Sequence, residues 1–490
     1  MSPPRRVALA VLLLACRPPA GGGGGGGGGG DGVAPPADDT GAPAAPVSAL
    51  PILPDLEDLD PSPGVVSVRL RAAPARHTFT DPHTGVSFTV DGYAYNGQVP
   101  GPTLRARVGD RVIVELENAL DEPTTVHWHG LSVPMSEDGM GLDGMDGGEG
   151  GDGLVPAGGT RTYSFVVTTP LTGWYHPHFD SAGQVDAGLY GAIVVEEAAA
   201  AAGLTDIVAI ADDWARPAPD GAVADDVHGA HGDEGLWVLN GVAAPTLALP
   251  AGSQARLRLI NASNKGMLAL TLDAGPVTLL AGDQGLTAAP RHLLPAVLAP
   301  GDRVELGLSV GKVERTVLDL PWSHRGGPGF GAATALLTVA PTGPAAADPG
   351  PPALTGSGPI SPSEDPRRTD ILWVFQGSAE TDRWFINGES FPDVTVPVVG
   401  LGDEVFIELR NLSDTAHPFH LHGMAFEVLS VDGVAPPVRA IEDTVDLPSH
   451  SVARLRLLAD NPGTWMAHCH ILPHADNGMM TLLQVGSGME

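Results

Sequence analysis

The stretch VFIELRN, from Val405 to Asn411, occurs in two earlier versions: VIVELEN from Val112 to Asn118, and ARLRLIN from Ala255 to Asn261. Apolar and polar residues alternate along these stretches, which is the period of a half-buried β-strand, and each stretch closes on asparagine. Upstream of every version stand an Asn-Gly pair, a proline and a glycine-containing turn. The pairs are Asn96-Gly97, Asn240-Gly241 and Asn387-Gly388. The unit recurs with a period of about 145 residues, which fits tandem domains better than a solenoid. Short alternating strands, frequent turn signals and no long amphipathic helix predict an all-β chain of three Greek-key β-sandwiches. The expected spans are 65–197, 198–345 and 369–487, with a Pro, Ala, Gly and Ser-rich linker at 346–368.

The composition agrees. The chain has 490 residues with 65 glycines, 47 prolines and 5% aromatics, a balance that favours turns and short strands. Against 26 basic residues stand 58 acidic ones, for a net charge of −32, which excludes nucleic-acid binding through a basic face. Two cysteines, Cys16 and Cys469, cannot build a disulfide framework.

Arg5 and Arg6 precede an apolar run from Val7 to Ala15, the order of an export signal, so residues 1–15 are expected to direct the chain out of the cytoplasm. Leu13-Leu14-Ala15-Cys16 resembles a bacterial lipoprotein cleavage box, which makes Cys16 a candidate lipid anchor and the only expected link to a membrane. Ten glycines, Gly21 to Gly30, and a Pro, Ala and Asp-rich stretch then read as a disordered tether over residues 16–64. The expected location is the periplasm or the bacterial cell surface.

Ten of the 17 histidines fall in four clusters. These are His127-Trp128-His129, His176-Pro177-His178, His417-Pro418-Phe419-His420-Leu421-His422, and His468-Cys469-His470 with His474. On a strand, side chains alternate faces, so His-x-His sets two imidazoles about 6.6 Å apart on one side. In His468-Cys469-His470 the same alternation sends the thiolate to the other side, where Cys469 can ligate one metal while its neighbours ligate a separate site. Cys469, His474, Met479 and the distant His417 supply a thiolate, two imidazoles and a thioether, the donor set of a blue copper site. Zinc seldom takes a thioether and would leave eight histidines unexplained; an iron–sulfur cluster needs more cysteines. The second copy acts as a control. Six, nine and eleven residues after Asn411 stand His417, His420 and His422, whereas the same offsets from Asn261 give Met267, Leu270 and Leu272. Copper chemistry is therefore expected in the first and third copies alone.

These clusters, in this order, resemble the copper motifs of the multicopper oxidases, and His-Cys-His-x-x-x-His-x-x-x-Gly-Met over His468 to Met479 is highly specific. The resemblance runs over residues 65–487 and implies three cupredoxin-like domains holding four copper ions. It implies one-electron oxidation of a donor at a type 1 copper and reduction of O2 to water at a trinuclear cluster. By motif position it implies His417, Cys469, His474 and axial Met479 for type 1, with the adjacent Met480 as the alternative. It implies His127 and His420 for type 2. For the type 3 pair it implies His129, His176 and His470 on one ion, and His178, His422 and His468 on the other.

Reduction of oxygen also needs protons. Asp138 stands nine residues after His129, where relatives commonly carry a carboxylate, so the resemblance implies it as the leading relay, with Asp143 and Asp146 as alternatives. Relatives often carry Glu just after the position of His474. This chain has Ala475 and then Asp476, which is the candidate substitute.

A phenol or aromatic amine is the expected donor, oxidised at the edge of His474. Cu(I) is the alternative, because residues 135–153 hold Met135, Met140 and Met145 among acids and glycines, and residues 212–234 are acidic with His228 and His231. Against Cu(I), the segment Asn411 to Ala416 lacks methionine. A non-enzymatic copper-binding protein and a nitrite reductase are the remaining readings. The filled ligand positions weigh against the first, and the full eight-histidine set against the second.

Overall fold

Asn96, Asn240 and Asn387 all adopt left-handed backbone, with φ of 51°, 50° and 56°, and each precedes a glycine with φ of 78°, 81° and 77°. Two successive positive φ angles make the two-residue hairpin turn whose twist matches the flanking strands, and Asn-Gly is the pair that tolerates it. The asparagine side chains then repeat one task. Asn96 accepts the Arg71 N–H and donates to the Arg69 carbonyl; Asn240 pairs in the same way with Ile210 and Val208, and Asn387 with Val374 and Leu372. The closing asparagines are equally alike. Asn118 donates to the carbonyls of Glu122 and Val155, Asn261 to those of Gly266 and Leu298, and Asn411 to those of Thr415 and Leu447, all three buried. A buried amide with every partner supplied fixes its loop, because leaving it unpaired costs about 1–3 kcal/mol.

The computed structural model describes residues 48–486 apart from 83, 142–152, 198–202, 216–234, 274–276, 330, 353, 355, 357–367 and 437–439. The chain is all-β, with cupredoxin-like sandwiches of paired sheets. In the first copy one sheet runs Ser87–Tyr95, Val65–Thr80, Arg111–Asn118, Thr160–Val166, and the other Gly101–Arg107, Gly191–Glu196, Leu171–His176, His127–His129. The second and third copies each pair a six-stranded sheet with a five-stranded one. In all three, the strand closing on asparagine lies parallel to the first long strand of its copy and antiparallel to a later one. The helices among the described residues are short: Ser181–Asp186, Leu472–Asp476 and a single turn at Met135–Glu137.

Each copy has its own apolar core, and a further seam of Trp174, Tyr190, Ile210, Ile260 and Leu472 joins residues of all three. Apolar seams of this kind hold tandem domains in a fixed arrangement.

One expectation needs correction. The tether was expected to reach residue 64, but from residue 48 onward the chain is a strap on the body. The Leu50 N–H donates to the carbonyl of Thr246 on the second copy, whose N–H donates to the Ser48 carbonyl; Leu50 is buried in that copy's core, and the Thr103 N–H and carbonyl on the first copy pair with Pro54 and Leu56. Composition alone misled here. Leu50, Leu53 and Leu56 give an otherwise Pro- and Asp-rich stretch three apolar anchors, and its extended backbone pairs with open sheet edges. Residues 1–15, Cys16 and the glycine run lie outside the described residues.

Candidate metal centre

His127–His129 is a three-residue strand paired with Leu171–His176, and Phe419–Leu421 is a three-residue strand paired with Gly463–Cys469. Short strands in two different copies thus bring the four motifs together. All eight imidazoles of His127, His129, His176, His178, His420, His422, His468 and His470 are buried. His127 and His129 are ring neighbours at 5.7 Å, as are His468 and His470, which is the same-face placement that strand alternation predicts.

The nitrogens sort into groups whose ligand atoms lie within 4.8 Å of one another: His127, His129 and His420; His129, His176 and His470; and His178, His422 and His468. In most of these rings one nitrogen is spent on protein. His127 Nδ1 bonds the Asp138 carbonyl at 3.0 Å, His176 Nδ1 the Pro177 carbonyl at 2.9 Å, His420 Nδ1 the Asp443 carbonyl at 2.9 Å, and His468 Nδ1 the Cys469 carbonyl at 2.9 Å. The other nitrogen faces inward. His127 Nε2, His129 Nδ1, His176 Nε2, His420 Nε2 and both nitrogens of His470 are buried with no hydrogen-bond partner among the described residues. The Nε2 atoms of His422 and His178 lie 3.0 and 3.4 Å from that of His468, where one proton cannot serve both pairs. Orphaned buried nitrogens are costly unless a metal takes their lone pairs, so these residues fit bound metal ions.

On the far side of the same strand, Cys469 Sγ lies 3.5 Å from His417 Nδ1 and 3.7 Å from His474 Nδ1, and the two nitrogens are 3.2 Å apart. Ser413 Oγ, 2.7 Å from His417 Nε2, fixes that ring. The fully buried Met479 is tied by its backbone to both neighbours, donating to the His474 carbonyl and accepting from the Cys469 N–H; Met480 instead pairs with His468 in the sheet. Trp384 stacks on His474 with ring centroids 3.7 Å apart, its indole N–H held by Asp382. His474 is the one member of this trio that is only partly buried.

Burial favours the neutral, lone-pair-donating form of the imidazoles of His129, His176, His178, His417, His420, His422, His468, His470 and His474. It pushes His417 and His468 down to about 3, and it lowers His176, His178, His422, His470 and His474 well below the usual range, with neighbouring rings adding to the effect. Burial likewise raises the Cys469 thiol, so a metal ion is what would draw off its proton.

Asp138 is fully buried, and its Oδ2 accepts from His422 Nδ1 at 2.7 Å while Oδ1 has no partner among the described residues. Asp476 differs. It is exposed, and its Oδ2 caps the helix at Ser181–Asp186 by accepting the Ala182 N–H at 2.9 Å. Its carboxylate thus joins two short helices, Ser181–Asp186 of the first copy and Leu472–Asp476 of the third. Among the loop methionines, Met140 is buried in the third copy's core, and Met135 Sδ accepts the Thr464 N–H at 3.1 Å. Met145, Asp143, Asp146, His228 and His231 lie outside the described residues.

Sequence reading missed Asp443. It is buried between two paired strand fragments, with Oδ1 3.1 Å from His129 Nε2 and its backbone carbonyl on His420. Burial alone would raise this carboxyl, but the charge and hydrogen bonds of Arg303 hold it well below the usual range. Its only local signal is the acidic pair Glu442-Asp443. A cavity of about 510 Å³ is lined by His127, His420, Asp443, Glu427 and Arg456 among others.

Cupredoxin-like sandwiches with one Cys/His/His set on the back of a strand whose front carries two further ligands define a class, that of copper-dependent redox proteins. Comparison with known sequences agrees: residues 82–200 and 363–488 each match multicopper oxidase domains. The multicopper oxidase of Staphylococcus haemolyticus is 30% identical over 409 residues, 80% of this chain and 83% of the relative. Among solved structures, the multicopper oxidase of Campylobacter jejuni, described as a metallo-oxidase, aligns at a TM-score of 0.73 and 25% identity over 91% of this chain and 96% of its own. A laccase-like multicopper oxidase of Ochrobactrum sp., with activity towards lignin model compounds, aligns at 0.74 and 25% over 89% and 100%. The chain belongs to the multicopper oxidase family: it is a copper-dependent oxidoreductase that uses oxygen.

Proposed function

We propose that the protein is a laccase-like oxidase that takes electrons singly from phenols or aromatic amines and passes them to O2. Four copper ions are assigned: type 1 on His417, Cys469, His474 and axial Met479; type 2 on His127 and His420; and the type 3 pair on His129, His176 and His470 and on His178, His422 and His468. The observation that carries the reading is Cys469, whose sulfur sits with His417 and His474 while its two sequence neighbours enter the two outer histidine triads. Bound copper supplies one-electron acceptance at the type 1 site and four-electron reduction of O2 to water at the cluster.

The protein groups do the rest. His474 offers its partly buried edge to the donor, and Trp384 covers one face of that ring, an aromatic setting suited to flat donors. The thiolate of Cys469 and the peptide units beside it give the electron a covalent route to His468 and His470. Asp138 orients His422 through Oδ2, and its Oδ1, which aims at no other group among the described residues, is placed to relay protons. The cavity lined by His127 and His420 gives small molecules access.

The metallo-oxidase of C. jejuni keeps Cu(I) as a second reading of the donor. Burial of Met140 removes one of the three loop thioethers from such a role. Oxygen uptake by the copper-loaded enzyme decides: faster uptake with a phenol supports the laccase reading, and faster uptake with Cu(I) replaces it. We also place the enzyme outside the cytoplasm on a lipid anchor at Cys16, and mass spectrometry of the mature N-terminus tests that assignment.

A further inference from the structure

The second copy holds none of the clustered histidines, yet two of its side chains reach between the two copies that do. Arg303, fully buried, opens the strand Arg303–Ser309. Its Nη1 and Nη2 donate to Asp443 Oδ1 and Oδ2 at 2.6 and 2.5 Å, a bidentate pair, and its Nε donates to the Thr172 carbonyl at 3.1 Å. Asp443 holds His129 and His420, and Thr172 lies on the strand that delivers His176. Gln284 repeats the bridge. Its Nε2 donates to the Gly130 carbonyl at 2.8 Å, beside His129, and to Asp443 Oδ2 at 2.7 Å. One side chain of the second copy thus grips the first and third copies at once, and a second does so independently.

The sheet register shows how particular this is. Arg303 lies opposite Ile260, the residue before the closing asparagine; the matching position is Thr160, opposite Glu117, in the first copy and Val452, opposite Arg410, in the third. The planar guanidinium fork matches a carboxylate in two bonds and still has Nε for a carbonyl, which a lysine ammonium cannot reproduce.

We propose that Arg303 and Gln284 are positioning residues for the trinuclear cluster: by fixing Asp443 they set the placement of His129 against His420, so the copper-free copy builds the cleft in which the cluster assembles. The proposal rests on the copper assignment above.

The test uses the full-length, copper-loaded protein with Arg303→Lys and Gln284→Ala. Copper per chain, the blue absorption band and the type 2 electron paramagnetic resonance signal are followed during titration with a chelator. Groups that orient metal ligands typically contribute about 10–100-fold in affinity. Arg303→Lys is expected to release the type 2 copper at about tenfold lower chelator or less, with an altered type 2 signal and an unchanged blue band; Gln284→Ala shifts the same copper less. Wild-type retention and spectra in both variants overturn the proposal, as does parallel loss of blue and type 2 copper, the mark of a merely structural role. Should Arg303→Lys fail to fold, Gln284→Ala alone decides. A wild-type protein without a blue band would instead overturn the copper assignment itself.

Discussion

The second and third copies share one frame and differ in what fills it. Nine and eleven residues beyond the closing asparagine, the third copy has His420 and His422 and the first has His127 and His129, whereas the second has Leu270 and Leu272. The strand survives in all three, as His127–His129, Leu268–Leu272 and Phe419–Leu421. The asparagine amide network is common to the three copies, so it belongs to the fold; the imidazoles belong to the chemistry. A copy freed of ligands has turned its charged groups outward to the cleft beside it, as Arg303 shows.

The largest break in this comparison is Cys469→Ser. It is expected to abolish the blue band and reduce oxygen consumption to background together, because the donor-side site and the route from it share that one sulfur; an oxygen-uptake trace with any retained turnover refutes the assignment. Asp138→Asn keeps an acceptor for His422 and removes the carboxyl that can relay protons, so kcat should fall by about 10²–10⁴-fold at full copper loading. Asp476→Asn, at the exposed helix junction, should leave kcat unchanged, and steady-state oxygen kinetics separate the two. Leu270→His places an imidazole at the ligand position of the copper-free copy. No group of metal ligands includes it among the described residues, and a buried unsatisfied ring should destabilise the fold by about 3 kcal/mol, read as a lower denaturation midpoint with unchanged copper content.

The smallest effect is a pH dependence in the second copy. Burial raises the Asp319 carboxyl to about 7, while one of its oxygens accepts the Ala269 N–H. A raised carboxyl binds its proton more tightly when folded. Its stabilising contribution is therefore full below the ordinary carboxyl range near 3.8 and is lost as pH rises through about 7. Asp319→Asn keeps the acceptor without the charge, so its melting temperature relative to wild type should rise between pH 5 and pH 8.

What the sequence disclosed follows from range. The turn asparagines, the strand-closing asparagines and the His-x-His pairs are local signals, legible because β-strand alternation turns spacing directly into direction. Asp138 was within reach through the family resemblance, nine residues after His129. Asp443 and Arg303 were not, because their meaning lies in partners 314 and 140 residues away and neither sits in a recognisable spacing. The contact of Asp476 with Ala182 was not legible either, because its spacing from His474 says nothing about the helix turn that points it there. Met140 read as part of a loop because its neighbours are glycines and acids, while packing against a distant core gave it its place.

The strap from residue 48 to the first copy bears on the order of assembly. It belongs to the earliest part of the folded body to emerge, yet Leu50 seats against Thr246 on an edge strand that is itself completed by pairing with Thr334–Thr342. Its docking must wait until nearly three hundred further residues have followed. The segment that leads the chain is thus among the last to find its seat, and it fastens the second copy to the first only after that copy has closed.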